Sequence, residues 1–214
     1  MAKRIVDLSL EIYHQAPTFS PDPKCGILVH HTIKSMGYNI TQIIMSTHQG
    51  THLDAPFHFF DNGRTVDKLD LGKCVGNALV IDLSRKKAKD EIGVEDLKPY
   101  ESRIPKGAKV LLRTDWDKVY PQEEYFSDQP VITVELSRWL AEKEIDLLGL
   151  ETPTVHPQDY ALIHKTLLEQ EIIIVEALAH LRELTAEEVF FAAAPLKIKG
   201  RDGSPVRAFA IEVR

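Results

Sequence analysis

Between Thr47 and His58 the chain reads Thr-His-Gln-Gly-Thr-His-Leu-Asp-Ala-Pro-Phe-His. Three of the nine histidines and one aspartate fall within eleven residues, His48 to His58. A spacing of four would put His48 and His52 on one face of a helix, but Gly50, β-branched Thr51 and Pro56 oppose a helix. The segment therefore reads as a strand end turning into a loop. In an extended stretch His52 and Asp54 point the same way. Gly50 lets the backbone fold back so that His48 joins them. Two imidazoles and a carboxylate converging on a point suit Zn²⁺ or Mn²⁺, with coordination positions left for water. On spacing alone, a solvated His-rich loop is the alternative.

The elements that must position this cluster are strand-rich in the first half of the chain. Arg4 to Leu10 alternates, Ile27 to Ile33 and Tyr38 to Met45 are rich in β-branched or aromatic residues, Ala78 to Leu83 is a short apolar run, and Lys109 to Arg113 reads as another buried strand. The stretch Pro17 to Pro23 reads as a long loop, and Arg85-Lys86-Lys87-Ala88-Lys89 as a solvated one. In the second half helix and strand alternate. Thr133 caps a helix with a stripe of Leu136, Trp139 and Leu140, and Asp146 to Leu150 is a strand. Tyr160, Ile163 and Leu167 line a second helix, followed by the buried strand Ile172 to Val175. Thr185-Ala186-Glu187-Glu188 fits a capping box and predicts a short helix before Pro195. Phe190 to Ile198 and Val206 to Val213 read as closing strands around the turn Gly200 to Pro205. About nine strands and three helices predict a mixed α/β fold.

At 214 residues one domain spanning 1–214 is expected, long enough to bury a core without disulfides or other staples. Cys25 and Cys74 cannot build a disulfide framework. A net charge of −6 and a pI near 5.8 argue against a nucleic-acid partner. Asp7 interrupts any apolar core of a signal peptide, and no apolar run approaches the roughly 20 residues of a membrane span. The expectation is a cytoplasmic protein with no membrane association.

The run His48-Gln49-Gly50-Thr51-His52-Leu53-Asp54-Ala55-Pro56-Phe57-His58 resembles the signature of the cyclase-like metal-dependent hydrolases, a family that includes bacterial kynurenine formamidase and isatin hydrolase. Glu151-Thr152-Pro153-Thr154-Val155 is similar to the family's strand and turn before its second ligand segment. Pro195 to Ile198 and Asp202-Gly203-Ser204-Pro205-Val206-Arg207 resemble its C-terminal hairpin. The resemblance implies a swivelling β/β/α fold and a homodimer or higher homo-oligomer. It implies two divalent ions per subunit, zinc first and manganese as the alternative. His48, His52 and Asp54 would hold the first ion, and Asp54 would reach the second together with His164 and Glu176. The same resemblance makes His58 the proton donor and acceptor. Without it, His164 is an ordinary helix residue, whereas Glu176, ending a buried apolar strand, needs a partner: a cation or a buried Arg.

The chemistry so implied is hydrolysis of a small aryl amide, foremost N-formyl-L-kynurenine to L-kynurenine and formate, by a metal-activated hydroxide. Phe19 stands where the formamidases place a tryptophan against the substrate ring, and offers a smaller apolar face. Two other readings stand beside this one. A related enzyme could open another cyclic amide or lactone, as isatin hydrolase does. A metal-binding protein of the same fold could lack turnover altogether, but such a site has no need of a titrating His58 that is not a ligand.

Overall fold

The computed structural model describes residues 3–20 and 22–213, so Pro21 of the predicted Pro17–Pro23 loop lies outside the described residues. β1 (Lys3–Asp7), β2 (Gly26–His31) and β3 (Ile40–Ile44) precede the His-rich segment, which supplies β4 (His52–Asp54). β5 (Val75–Asp82), β6 (Glu91–Ile92), β7 (Lys109–Arg113), β8 (Val131–Ile132), β9 (Leu147–Leu150) and β10 (Ile173–Glu176) follow. β11 (Glu188–Ala192), β12 (Gly203–Pro205) and β13 (Phe209–Val213) complete the set.

Nine of these strands form one mixed sheet in the order β1-β13-β11-β5-β7-β9-β10-β4-β12. Its centre, β5-β7-β9-β10, is parallel, and both flanks are antiparallel. The central strands are apolar at nearly every position because both faces are covered. Leu111, Leu147, Ile173 and Val175 feed one core layer, and Val110, Leu112, Leu148 and Ile174 the other. The second layer is roofed by helices Val134–Glu142 and Tyr160–Glu169, through Leu136, Leu140, Ile163 and Leu167. Thr133 caps the first of these, its hydroxyl accepting from the Leu136 amide at 3.1 Å. This is the α/β architecture with a mixed sheet that the sequence predicts.

Four expectations about the C-terminal third are corrected. No helix follows Thr185. The Glu212 carboxylate accepts from the amides of Thr185 (2.6 Å) and Ala186 (3.0 Å) and from the Thr185 hydroxyl. That anchorage ties Thr185 and Ala186 to β13, and the chain runs extended into β11, whose Glu188–Ala192 is taken up by pairing with β5. The strand predicted for Phe190–Ile198 stops at Ala192, and that for Val206–Val213 begins only at Phe209. The turn predicted for Gly200–Pro205 is shorter, because Gly203–Pro205 is β12, paired antiparallel with β4.

β2 and β3 form a separate two-stranded sheet with a short helical turn, Ile33–Met36, between them. Its apolar side chains face outward: Val29 is 73% exposed, Ile33 66%, and Leu28, Ile40, Ile43 and Ile44 are exposed too. Among the described residues, no helix is long and apolar enough to cross a membrane.

Candidate metal centre

The His-rich segment folds as its residue types dictate. Gly50 takes a left-handed conformation (φ +63°), reversing the backbone between His48 and β4. β4 is extended, so His52 and Asp54 share a face, and Pro56 opens a 3-10 turn that carries His58. On the next strand Glu176 lies directly opposite His52 in the antiparallel register. His164 comes down onto the same point from the Tyr160–Glu169 helix, its ring stacked on Phe59 with centroids 4.9 Å apart.

The result is one cluster. His48 Nδ1 lies 2.8 Å from Asp54 Oδ1, and His52 Nε2 lies 3.6 Å from the same oxygen and 3.5 Å from Glu176 Oε2. His164 Nε2 lies 3.2 Å from Asp54 Oδ2 and 3.3 Å from Glu176 Oε1. The His58 ring stacks on His48, with centroids 4.1 Å apart. All six residues that the sequence singles out for metal and proton chemistry are thus brought together. Candidate ligand atoms of His52, Asp54 and Glu176 lie within 4.8 Å of one another, and so do those of His48, Asp54 and His58.

Three features of this cluster fit a cation. Asp54 is fully buried, and its Oδ1 makes no well-directed hydrogen bond although His48 Nδ1 lies 2.8 Å away. An acceptor left unpaired in the interior is costly unless something positive occupies its lone pairs. The outward nitrogens of three of the four imidazoles are anchored. His52 Nδ1 donates to the Gly50 carbonyl (2.8 Å), His164 Nδ1 to the Tyr160 carbonyl (2.8 Å) and His48 Nε2 to Asp202 Oδ2 (2.7 Å). Such outer partners fix the tautomer and aim the other nitrogen at a metal. The donor set is imidazole and carboxylate, which suits divalent transition ions.

Electrostatics follow from the crowding. Burial opposes the charged form of His48, but the Asp54 charge and the hydrogen bond to Asp202 override it and hold the imidazole up at about 10. His164 is likewise raised to about 10 against burial, by its hydrogen bonds to Asp54 and Glu176. Burial also opposes ionisation of Asp54, yet the His48 charge and the His164 hydrogen bond keep its carboxyl well below the usual range. His58 goes the other way: burial lowers it, despite the Asp54 charge. It is therefore neutral at neutral pH.

A cation must displace the protons on His48 and His164. At pH 7, loading Zn²⁺ is expected to release about two protons per site, read by calorimetry in buffers of different ionisation enthalpy. Folded-state values raised above 6.5 stabilise the cation-free protein fully below pH 6.5, and that contribution is lost as pH rises towards 10. The melting temperature of chelated protein should therefore fall over that window while Zn²⁺ affinity rises. No proton release would contradict the cluster's charge state.

The cluster forms the floor of a cavity of about 480 Å³. Its walls include Phe19, Phe59, Tyr120, Tyr125, Phe126 and Tyr160, so Phe19 is a wall residue. No Lys or Arg lines it among the described residues. Glu151 fastens one wall: its buried carboxylate accepts the amides of Thr114 (2.7 Å), Asp115 (2.6 Å) and Leu181 (3.1 Å), and Tyr125 donates to its carbonyl. Burial and the nearby Asp117 charge push that carboxyl up to about 8. Neither this bracket nor Asp202 is legible from local spacing, since each acts on a segment far away in sequence. The only signal for Asp202 is its place in the C-terminal stretch Asp202–Arg207.

Residues 6–157 match the model of the putative cyclase family. The chain is 33% identical to a kynurenine formamidase of Bacillus cytotoxicus over 97% of both chains, and 32% identical to that of Erythrobacter litoralis over 99% of this chain and 95% of that one. Among solved structures it is similar to isatin hydrolase A of Labrenzia aggregata bound to benzyl benzoate, with a TM-score of 0.89, 31% identity and coverage of 99% and 94%. A structure described as a potential metal-dependent hydrolase with cyclase activity superposes with a TM-score of 0.83 at 28% identity over the whole of both chains. With its sheet, its histidine–carboxylate cluster and these full-length relatives, the chain belongs to the putative cyclase family of metal-dependent hydrolases.

Proposed function

We propose that this protein is a metal-dependent amidohydrolase acting as a kynurenine formamidase, cleaving N-formyl-L-kynurenine to L-kynurenine and formate. The observation that carries the reading is Glu176, seated between His52 and His164 across from Asp54, at the floor of an aromatic-walled cavity. Full-length formamidase relatives support it. His48, His52 and Asp54 would hold one divalent cation, and Asp54, His164 and Glu176 a second, zinc foremost and manganese as the alternative. A bound divalent cation polarises a carbonyl and brings the pKa of water down to about 7.

The chain's own residues do the rest. His58 is neutral at neutral pH, so it takes a proton from the attacking water and returns it to the leaving aryl amine. Phe19 and the other wall aromatics receive the aryl ring by offset or edge contacts. A formyl group beside that ring is the small acyl portion that fits at the cluster.

A second reading, opening of a cyclic amide such as isatin, is favoured by the isatin hydrolase neighbours and by the absence of Lys or Arg from the cavity wall. Metal analysis of purified protein, followed by N-formyl-L-kynurenine, formanilide and isatin in parallel, separates the readings. Formate release from the first substrate is expected. Isatin opening without formamide cleavage selects the second reading, and cation-loaded protein that turns over none of them marks a binding protein.

We also propose a homodimer formed through β2 and β3. An isolated two-stranded sheet is marginal in water, and this one exposes Val29, Ile33, Ile43 and Ile44. Between Gly26 and Ile44 the only Lys, Arg, Asp or Glu is Lys34, so two copies of a −6 chain can meet there with little repulsion. Sedimentation should give twice 24.2 kDa for the wild type, and Val29→Lys with Ile43→Lys should give monomer. A wild-type monomer at micromolar concentration overturns this.

A further inference from the structure

We propose that Asp202 is a positioning residue for the cation centre: its carboxylate holds the Nε2 proton of His48 and thereby presents Nδ1 as the ligating atom. The proposal rests on the reading that the cluster holds a cation. His48 Nε2 lies 2.7 Å from Asp202 Oδ2, which accepts at the same time from the Thr47 hydroxyl at 2.8 Å. An ionised carboxylate accepts and does not donate, so the proton sits on Nε2.

Two further contacts make the arrangement specific. The backbone carbonyl of Asp202 accepts the Ala55 amide at 2.8 Å, so one residue grips the signature segment beside His48 and again just past Asp54. The next residue is Gly203, and a Cβ there would meet the Leu53 carbonyl oxygen at 2.7 Å, His48 Cε1 at 2.9 Å and His48 Nε2 at 3.3 Å. The missing side chain is what lets the imidazole lie against β12 and reach Asp202.

The chemistry sets His48 apart from its neighbours. His52 and His164 hand their outer proton to backbone carbonyls, whereas His48 alone of the three hands it to a charged group. A carboxylate partner raises the basicity of the inward nitrogen more than a neutral carbonyl does. Asp202 thus tunes one ligand of the centre from the bend just before β12.

The test measures Zn²⁺ affinity by competition with a chromophoric chelator, and the His48 tautomer by ¹⁵N imidazole shifts. Zn²⁺ affinity should drop roughly 10–100-fold in Asp202→Ala. The Zn²⁺-loaded wild type should show Nδ1 ligated and Nε2 protonated, a pattern that the variant loses. Asp202→Asn keeps an acceptor without the charge, is the safer variant to fold, and should fall between the two. Wild-type affinity and an unchanged His48 tautomer in both variants would overturn the proposal and leave the proposed function standing. A wild type that takes up no Zn²⁺ would overturn both.

Discussion

Asp54→Ala should lose hydrolytic activity to background together with most of its bound cation. The carboxylate is fully buried and sits between His48, His52 and His164, the only group among the described residues that lies against all three. Leaving buried charges without their partner costs about 3–5 kcal/mol. At 1.4 kcal/mol per tenfold, cation affinity should fall by roughly 10²–10⁴. Metal content after gel filtration and formate release from N-formyl-L-kynurenine read the two effects together. A variant that keeps both its cation and its turnover would sink the assignment of Asp54 as the ligand common to the centre.

His58→Ala is expected to separate the same two properties. Turnover should drop by roughly 10²–10⁴, the usual contribution of a positioned acid–base group, while bound cation stays near the wild-type amount. His58 is grouped with His48 and Asp54 closely enough to be a ligand itself, so the metal measurement decides between the roles. Loss of cation in this variant would make His58 a ligand and leave the proton transfer without a carrier. The pH profile adds an independent reading. Because burial lowers His58, the wild-type rate should hold through neutral pH and decline only in acid, as the imidazole takes a proton. A rate flat to pH 5 would argue against a base at this position.

How much of this was legible in the sequence depended on the range over which each signal acts. The central strands were readable because both faces are covered, so Val110–Leu112 and Ile172–Val175 are apolar runs with no polar interruption. The His48–Asp54 cluster was readable because a period of two in a strand and a glycine at the bend are local rules, and both hold. His164 and Glu176 were not readable from spacing. They meet β4 only because β10 pairs with it antiparallel and the Tyr160–Glu169 helix packs above, so a family resemblance had to point to them. The Thr185 capping box misled for the same reason in reverse. Glu212, far along the chain, ties Thr185 and Ala186 to β13, and Glu188–Ala192 pairs with β5. Asp202 was missed because its partner lies 154 residues away and the segment between them gives no hint of β12.

The edge position of β12 beside β4 has a consequence for biosynthesis. The first-made half of the reactive centre is finished by nearly the last-made strand, and contacts of such long sequence separation form late. A ribosome-bound chain still lacking this segment would carry His48 without its Asp202 partner. Completion of the His48 side of the cluster therefore waits on the segment that ends in β12.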